Sequence, residues 1–297
     1  MVTYKRMIIY FCVFNLFLSS LQAIVKPHFL SFGTTFAVVM DLSKSSIQNR
    51  FLAELLLKMC FACFASTMCI ISIHFIYRFL CIKREENVEY FQGFFFWIWI
   101  LMPVLSGLVW GFTTAIFLKL TDRNTDALGN YMQTNYNTTI DKIVYIGGDY
   151  FADDAKKIFN SPIFHGTFIL AIVIQASLSV IKLFYIKTHQ EICDLKNLSQ
   201  SEKTESLQKR LFNALRVQTA IPIFMLYIPV VIFMFLPMFK VQFQLIGPIV
   251  TVLYGLYPVV DPIMNIFILD GYRKALITVF CAKWKSERDR GKIYQSK

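Results

Sequence analysis

The sequence predicts an all-α, multi-pass membrane protein, and three observations carry that prediction. Hydrophobic residues make up 56% of the 297 residues, Phe alone contributing 30, while charged residues reach only 16%; an average globular chain carries about 25% charged. Six long stretches contain no Asp, Glu, Lys or Arg: Met7–Val25, Met59–Tyr77, Tyr90–Leu118, Pro162–Ile181, Val217–Phe239 and Val241–Val260, the last resuming after Asp261 as far as Leu269. Each is close to the roughly 20 apolar residues a helix needs to cross a hydrocarbon core of about 30 Å. Finally, Lys and Arg fall unequally on the two alternating sets of segments outside the spans, 17 against 9. Such a composition excludes a disordered chain, which is poor in apolar residues, and seven Cys are too few, and odd in number, for a disulfide scaffold.

With their flanks the six spans cover about 7–25, 51–80, 91–118, 162–186, 211–239 and 241–269, within one transmembrane domain over 1–297. The first follows Lys5 and Arg6 and resembles a signal peptide in that respect. Its uncharged stretch exceeds a usual signal core, however, and Leu21 stands where cleavage after Ala23 would want a small residue. Phe29–Met40 is apolar but too short to cross, so it is expected to be a loop segment or an interfacial piece. Pro222, Pro229 and Pro237 predict a kinked fifth span, and a tight turn near Lys240 should separate it from the sixth. Beyond Gly271, Leu276, Ile277, Val279 and Phe280 with Arg273 and Lys274 suggest an amphipathic helix on the inner leaflet, leading into a tail to 297, with Cys281 a candidate for palmitoylation.

The basic residues orient these spans. The segment before the first span, the second–third and fourth–fifth connections and the tail hold 17 Lys and Arg together; the remaining connections hold 9. The richer set, both termini included, is expected in the cytoplasm. The third–fourth connection balances its bases with Asp122, Asp126, Asp141, Asp149, Asp153 and Asp154, and contains Asn137–Thr138–Thr139, a glycosylation sequon suited to an outer surface. The sequon at Asn197 falls inside and should stay unused. The net charge of +11 is thereby explained by sidedness and by anionic lipid, without nucleic acid.

Little is left for catalysis. No Gly-rich phosphate loop, H-E-x-x-H or G-x-S-x-G occurs, and the connections are too short for a catalytic domain, so neither cofactor nor metal is expected and the chain is not expected to be an enzyme. Cys60 and Cys63 form a C-x-x-C without a second ligand cluster, and packing between helices explains them better. Charges near the membrane are the informative positions, because each is costly there. Glu54 and Lys58 stand one turn apart at the outer end of the second span, as a local ion pair or as the mouth of a ligand pocket. His74 and Arg78 stand one turn apart at its inner end, where Arg78 either snorkels to headgroups or holds a partner. Lys182 and Arg216 border the fourth–fifth connection. Asp261, between Pro258 and Pro262, is the deepest charge and reads as a polar clamp at a kink or as a hinge.

These residues resemble a family, the nematode serpentine chemoreceptors of the str type. The resemblance rests on HFIYRFL (His74–Leu80), PVLSGLVWG (Pro103–Gly111), DKIVYIGGDYF (Asp141–Phe151), LQKRLFNALRVQTAIPIFMLYIP (Leu207–Pro229) and YPVVDPIMNIFILDGYRKAL (Tyr257–Leu276), in the family's order over nearly the whole chain. It implies a G-protein-coupled-receptor-like bundle of seven helices. Thr3–Tyr4–Lys5–Arg6 is similar to the basic residues before the family's second helix, so six spans are expected of seven, the first being absent. By the same resemblance Tyr77–Arg78 matches the inner-end motif of the family's third helix, with Ile76 where rhodopsin-like receptors carry an acid. Asp261–Pro262 is similar to the Asn-Pro of the rhodopsin-like last helix. The implied function is chemosensory: a small ligand, volatile molecules included, a heterotrimeric G protein, and a place in the plasma membrane of a sensory neuron with the C-terminus inside. His74, Tyr77, Arg78, Lys209, Arg210, Arg216, Asp261, Pro262, Arg273 and Lys274 are then candidate switch or G-protein contacts, and Glu54 and Lys58 candidate ligand contacts. The competing readings are a small-molecule transporter or channel component, with Asp261 and Lys182 on the path, and a truncated product that does not signal.

Overall fold

The computed structural model describes residues 2–83, 89–151, 161–197, 202–241, 243–268 and 278. The bundle is built from α1 (Val2–Val25), α2 (Arg50–Lys83), α3 (Gly93–Phe117), α5 (Pro162–Asn197), a broken helix comprising α6 (Glu202–Pro222), a π-helical turn (Ile223–Tyr227) and α7 (Ile228–Phe235), and α8 (Ile246–Ile268). Among the described residues α2, α3, α5 and the α6–α7 helix are long and apolar enough to cross a membrane, while α1 and α8 contribute the shorter apolar stretches Ile9–Val25 and Ile246–Tyr257.

The prolines of the broken helix each mark a change of helix type. Pro222 ends α6, Pro229 begins α7, and Pro237 begins the 3-10 turn Leu236–Phe239. A proline has no N–H to give to the ladder, so the backbone changes its hydrogen-bond span there. The expected turn follows at Lys240, which takes a left-handed conformation (φ 57°) and donates its N–H to Pro237 O.

The structure departs from the sequence-based expectation at Phe29–Met40. This is no loop but two strands, β1 (His28–Phe32) and β2 (Thr35–Asp41), joined by Gly33–Thr34 with Gly33 at φ 57°. β3 (Ile143–Asp149) pairs antiparallel with β2, giving a three-stranded sheet with β2 in the middle. The two faces of β2 explain its unbroken apolar sequence. Phe36, Val38 and Met40 join the main core of the bundle, while Ala37 and Val39 pack with Leu128 and Met132 of α4 (Asp122–Tyr136). A strand covered on both faces loses the polar alternation by which strands are recognised.

Close backbone approach seats the sheet on the helices. A Cβ at Gly247, in the first turn of α8, would stand 2.4 Å from Phe29 O, and within the sheet one at Gly147 of β3 would stand 2.5 Å from Phe36 O of β2. Phe29 N–H also donates to Thr251 Oγ1 of α8 (2.9 Å).

α2 is the hub of the bundle, touching α1, α3, α5, α6 and β3. Cys60, Phe64, Met68, Ile71 and Phe75 are buried along it. α3 lies at the rim: it buries Trp110 but leaves Phe94, Trp97, Leu105 and Phe112 exposed as a face for lipid.

Candidate functional site: the central helix and its two ends

Cross-helix hydrogen bonds run the length of α2, and most of them end on a backbone carbonyl. Near the sheet, Tyr254 Oη of α8 donates to Cys60 O (3.3 Å), and one turn further on Tyr227 Oη of the π turn donates to Phe64 O (3.1 Å). Ser66 Oγ donates to Pro103 O of α3 (2.8 Å), and Ser72 Oγ to Ser177 O of α5 (3.3 Å). In an apolar interior each buried polar group needs a partner. These hydroxyls find theirs on neighbouring helices and so set the register of one helix against another.

At the sheet end, Glu54 and Lys58 pair through Lys58 Nζ and Glu54 Oε1. Together with Arg50, Lys119 and Tyr145 they line a cavity of about 280 Å³ between α2, α3 and β3. Three cations face one carboxylate there. The end is closed by Tyr150, whose Oη donates to Met234 O (2.9 Å), and by the Lys240 ammonium, 4.4 Å from the centre of the Phe151 ring. Asp149 accepts from Thr34 Oγ1 (2.8 Å) and from Phe151 N–H (2.9 Å), which fixes the hairpin turn against the end of β3. Asp41 ends β2. Its burial acts to raise the carboxyl pKa, but hydrogen bonds from Ser43 N–H and Oγ and the Lys44 ammonium 3.4 Å away outweigh that and hold it below the ordinary carboxylate value. Asn137 caps α4 in a left-handed conformation and is exposed, on the far side of the sheet from the bundle.

At the opposite end Arg78 is buried (8% exposed). It does not reach out to headgroups. Its Nη2 donates to the backbone oxygen (3.0 Å) and the side-chain Oε1 of Gln208 on α6. Tyr77 is buried with its ring edge-on to Phe91, and His74 is half-buried, 5.3 Å from the Phe11 ring on α1. Lys209 and Arg210 stand exposed beside Gln208, and Arg216, two turns further along α6, is exposed with its Nη1 on Asn213 Oδ1 (3.3 Å). The structure therefore brings Arg78, Lys209 and Arg210 to one end and sets Glu54 and Lys58 at the other. α8 remains helical through Asp261 and Pro262, whose side chains lie outside the described residues, as do Arg273, Lys274 and Cys281.

Residue-by-residue reading of the sequence passed over Gln208, Tyr227, Tyr254, Tyr150 and Ser66. Three of them lie inside the quoted resemblance segments, which was the one available signal. Their partners are between 37 and 194 positions away in the chain.

Comparison with known proteins accords with this architecture. A family model described as "Serpentine type 7TM GPCR chemoreceptor Str" matches residues 1–277. The chain is similar to "Serpentine receptor class r-10" of Caenorhabditis briggsae, 24% identical over 98% of this chain and 84% of that protein. It is similar to "G-protein coupled receptor str-33" of Caenorhabditis elegans, 26% identical over 93% of this chain and 81% of that one, and to "G-protein coupled receptor str-217" of the same species, 24% identical over 94% and 80%. These are receptors and not enzymes. The chain belongs to the Str family of serpentine GPCR chemoreceptors.

Proposed function

We propose that this receptor detects a small molecule at the sheet end of its bundle and passes the event to a heterotrimeric G protein at the Arg78 end, in the plasma membrane of a sensory neuron. Family membership over residues 1–277 carries the reading. The excess of Lys and Arg supports a cytoplasmic Arg78 end, and the exposed sequon at Asn137 suits the opposite, extracellular side. The cavity of about 280 Å³ beside Glu54 and Lys58 lies at the lower edge of ligand-pocket volumes. That size suits a compact ligand, and its excess of cations favours an electronegative or acidic one.

Arg78 supplies the switch. While it holds Gln208, the inner end of α6 is tied to α2. A ligand that favours another packing of the outer helices shifts the population toward a state with that tie released. Arg78, Lys209 and Arg210 are then presented to the G protein, with His74 and Tyr77 behind them, and Asp261–Pro262 and Arg273–Lys274 belong to the same end by their order in the chain. The experiment is ligand-evoked G-protein activation in cells expressing the receptor and its Arg78→Ala variant at equal surface levels. Loss of the evoked response is expected; a response of unchanged size would overturn the role of Arg78. Solute flux in proteoliposomes lacking G protein would instead favour a transporter.

A further inference from the structure

We infer that the groove between α5 and α6 is a binding site for one anionic phospholipid, with its phosphate held by Lys182 and Arg216 and an acyl chain laid toward Leu178 and Phe224. The inference rests on the membrane-spanning character of the helices and on nothing about the ligand or the G protein.

The groove has a volume of about 840 Å³ and is lined by residues of α2, α5, α6 and the π turn, among them Phe75, Leu178, Lys182, Arg216, Ala220 and Phe224. It exists because α5 packs mainly on α2 and α3 and meets α6 sparsely. One wall runs into the π turn just past Pro222, where the helix widens. Its opening faces the membrane: on the side of Lys182 and Arg216 nearer the sheet, Val217, Phe224 and Ile228 of the broken helix are exposed apolar side chains. Hydrocarbon surrounds such a rim, so the molecule that enters must come from the bilayer.

By residue count the two cations of the groove lie near one height. Lys182 lies 20 residues along α5 from its start at Pro162, beside the sheet, which at 1.5 Å per residue is about 30 Å, the thickness of the hydrocarbon core. Arg216 lies a similar distance from Lys240 at the end of the broken helix. Both cations therefore meet the headgroup layer at the end opposite the sheet, with apolar residues continuing below them toward mid-membrane. Neither forms an ion pair with a carboxylate among the described residues, and the lining includes no acid. Two cations above an apolar slot, open sideways to lipid, match a phosphate on an acyl chain. A free anion would leave the slot empty, and a protein helix would have to come from within the bilayer. Arg216 thereby belongs to the lipid site and not to the G-protein surface.

The test is retention of lipid by the purified full chain from symmetric nanodiscs of phosphatidylserine or of phosphatidylcholine, read by native mass spectrometry. Preferential retention of one phosphatidylserine is expected. A basic residue near an anionic surface is worth about fivefold in binding, so Lys182→Gln with Arg216→Gln should cost about thirtyfold. Lys209→Gln with Arg210→Gln, exposed on the same helix outside the groove, should leave retention nearly unchanged. Ala220→Phe, which fills the slot and keeps both charges, should also abolish retention, and excess inorganic phosphate should not displace the lipid. Equal retention of the two lipids, equal losses in the two charge variants, or displacement by inorganic phosphate would each overturn the site. A receptor that binds phosphatidylserine as described but evokes no G-protein response would leave this site standing and remove the signalling proposal.

Discussion

The two ends of this receptor are held in opposite ways. At the sheet end, two connections far apart in the chain merge into one three-stranded antiparallel sheet, covered by α4 on one face and the bundle on the other. Its bonds are backbone ladders, reinforced by Asp149, Tyr150 and Thr251. At the other end Arg78 ties α2 to α6 by side-chain hydrogen bonds to Gln208. A ladder fails only when many bonds break together, while one side-chain tie can be exchanged for a partner's. Under the proposed function the ligand is recognised at the stiff end and the signal is read at the releasable one.

Breaking the stiff end should have the largest effect. Gly147→Val drives a side chain into the backbone of Phe36 and Ala37, which neither strand can relieve without unpairing. A cost of about 3 kcal/mol or more is expected, seen as loss of the monodisperse receptor peak in detergent. Survival of a folded receptor would show that β3 is dispensable to the frame. Next comes the releasable end. Gln208→Ala removes the side-chain half of the Arg78 tie; bonds to a charged group are worth about 1.5–3 kcal/mol, so ligand-independent signalling should rise about tenfold while the melting temperature moves little. Unchanged basal signalling would mean that the tie does not oppose activation. Tyr150→Phe, which deletes one bond between the sheet and Met234, should lower stability by about 1 kcal/mol without altering basal signalling. The smallest effect belongs to Asp41. Its carboxyl is depressed in the folded state, so its stabilisation is complete above the ordinary value of 3.8 and is lost as pH falls through the folded value. Thermal melts below about pH 5 should therefore decline in the parent protein, and Asp41→Asn should remove that part of the decline.

α2 and α3 show how far sequence goes. Both are long, apolar and free of charge through their middles, and both were legible as spans. Yet Phe64 of α2 is buried against Trp110 and Tyr227, while Phe94 of α3 is 78% exposed. Hydropathy cannot separate a helix facing lipid from one facing protein, since both surroundings are apolar. Arg78 and the Glu54–Lys58 pair were found because charge near a membrane is rare, but the destination of Arg78 was not, since Gln208 lies 130 positions away. The hairpin was missed for a different reason: with both faces of β2 buried, Phe36-Ala37-Val38-Val39-Met40 has no alternation to read, and Gly33–Thr34 was the only turn signal.

By itself the sequence determined the helical membrane class and offered a candidate set of spans and a candidate sidedness. Those are responses of short stretches of chain to a solvent, in which about 20 apolar residues balance the thickness of a bilayer and loose cations stay on one side. Tertiary structure alone decided which helix is central, which connections pair into a sheet, and which carbonyl or amide each buried polar group meets. Those depend on the approach of segments far apart in the chain, and a hydrogen bond in an apolar interior is specified by its partner as much as by its donor.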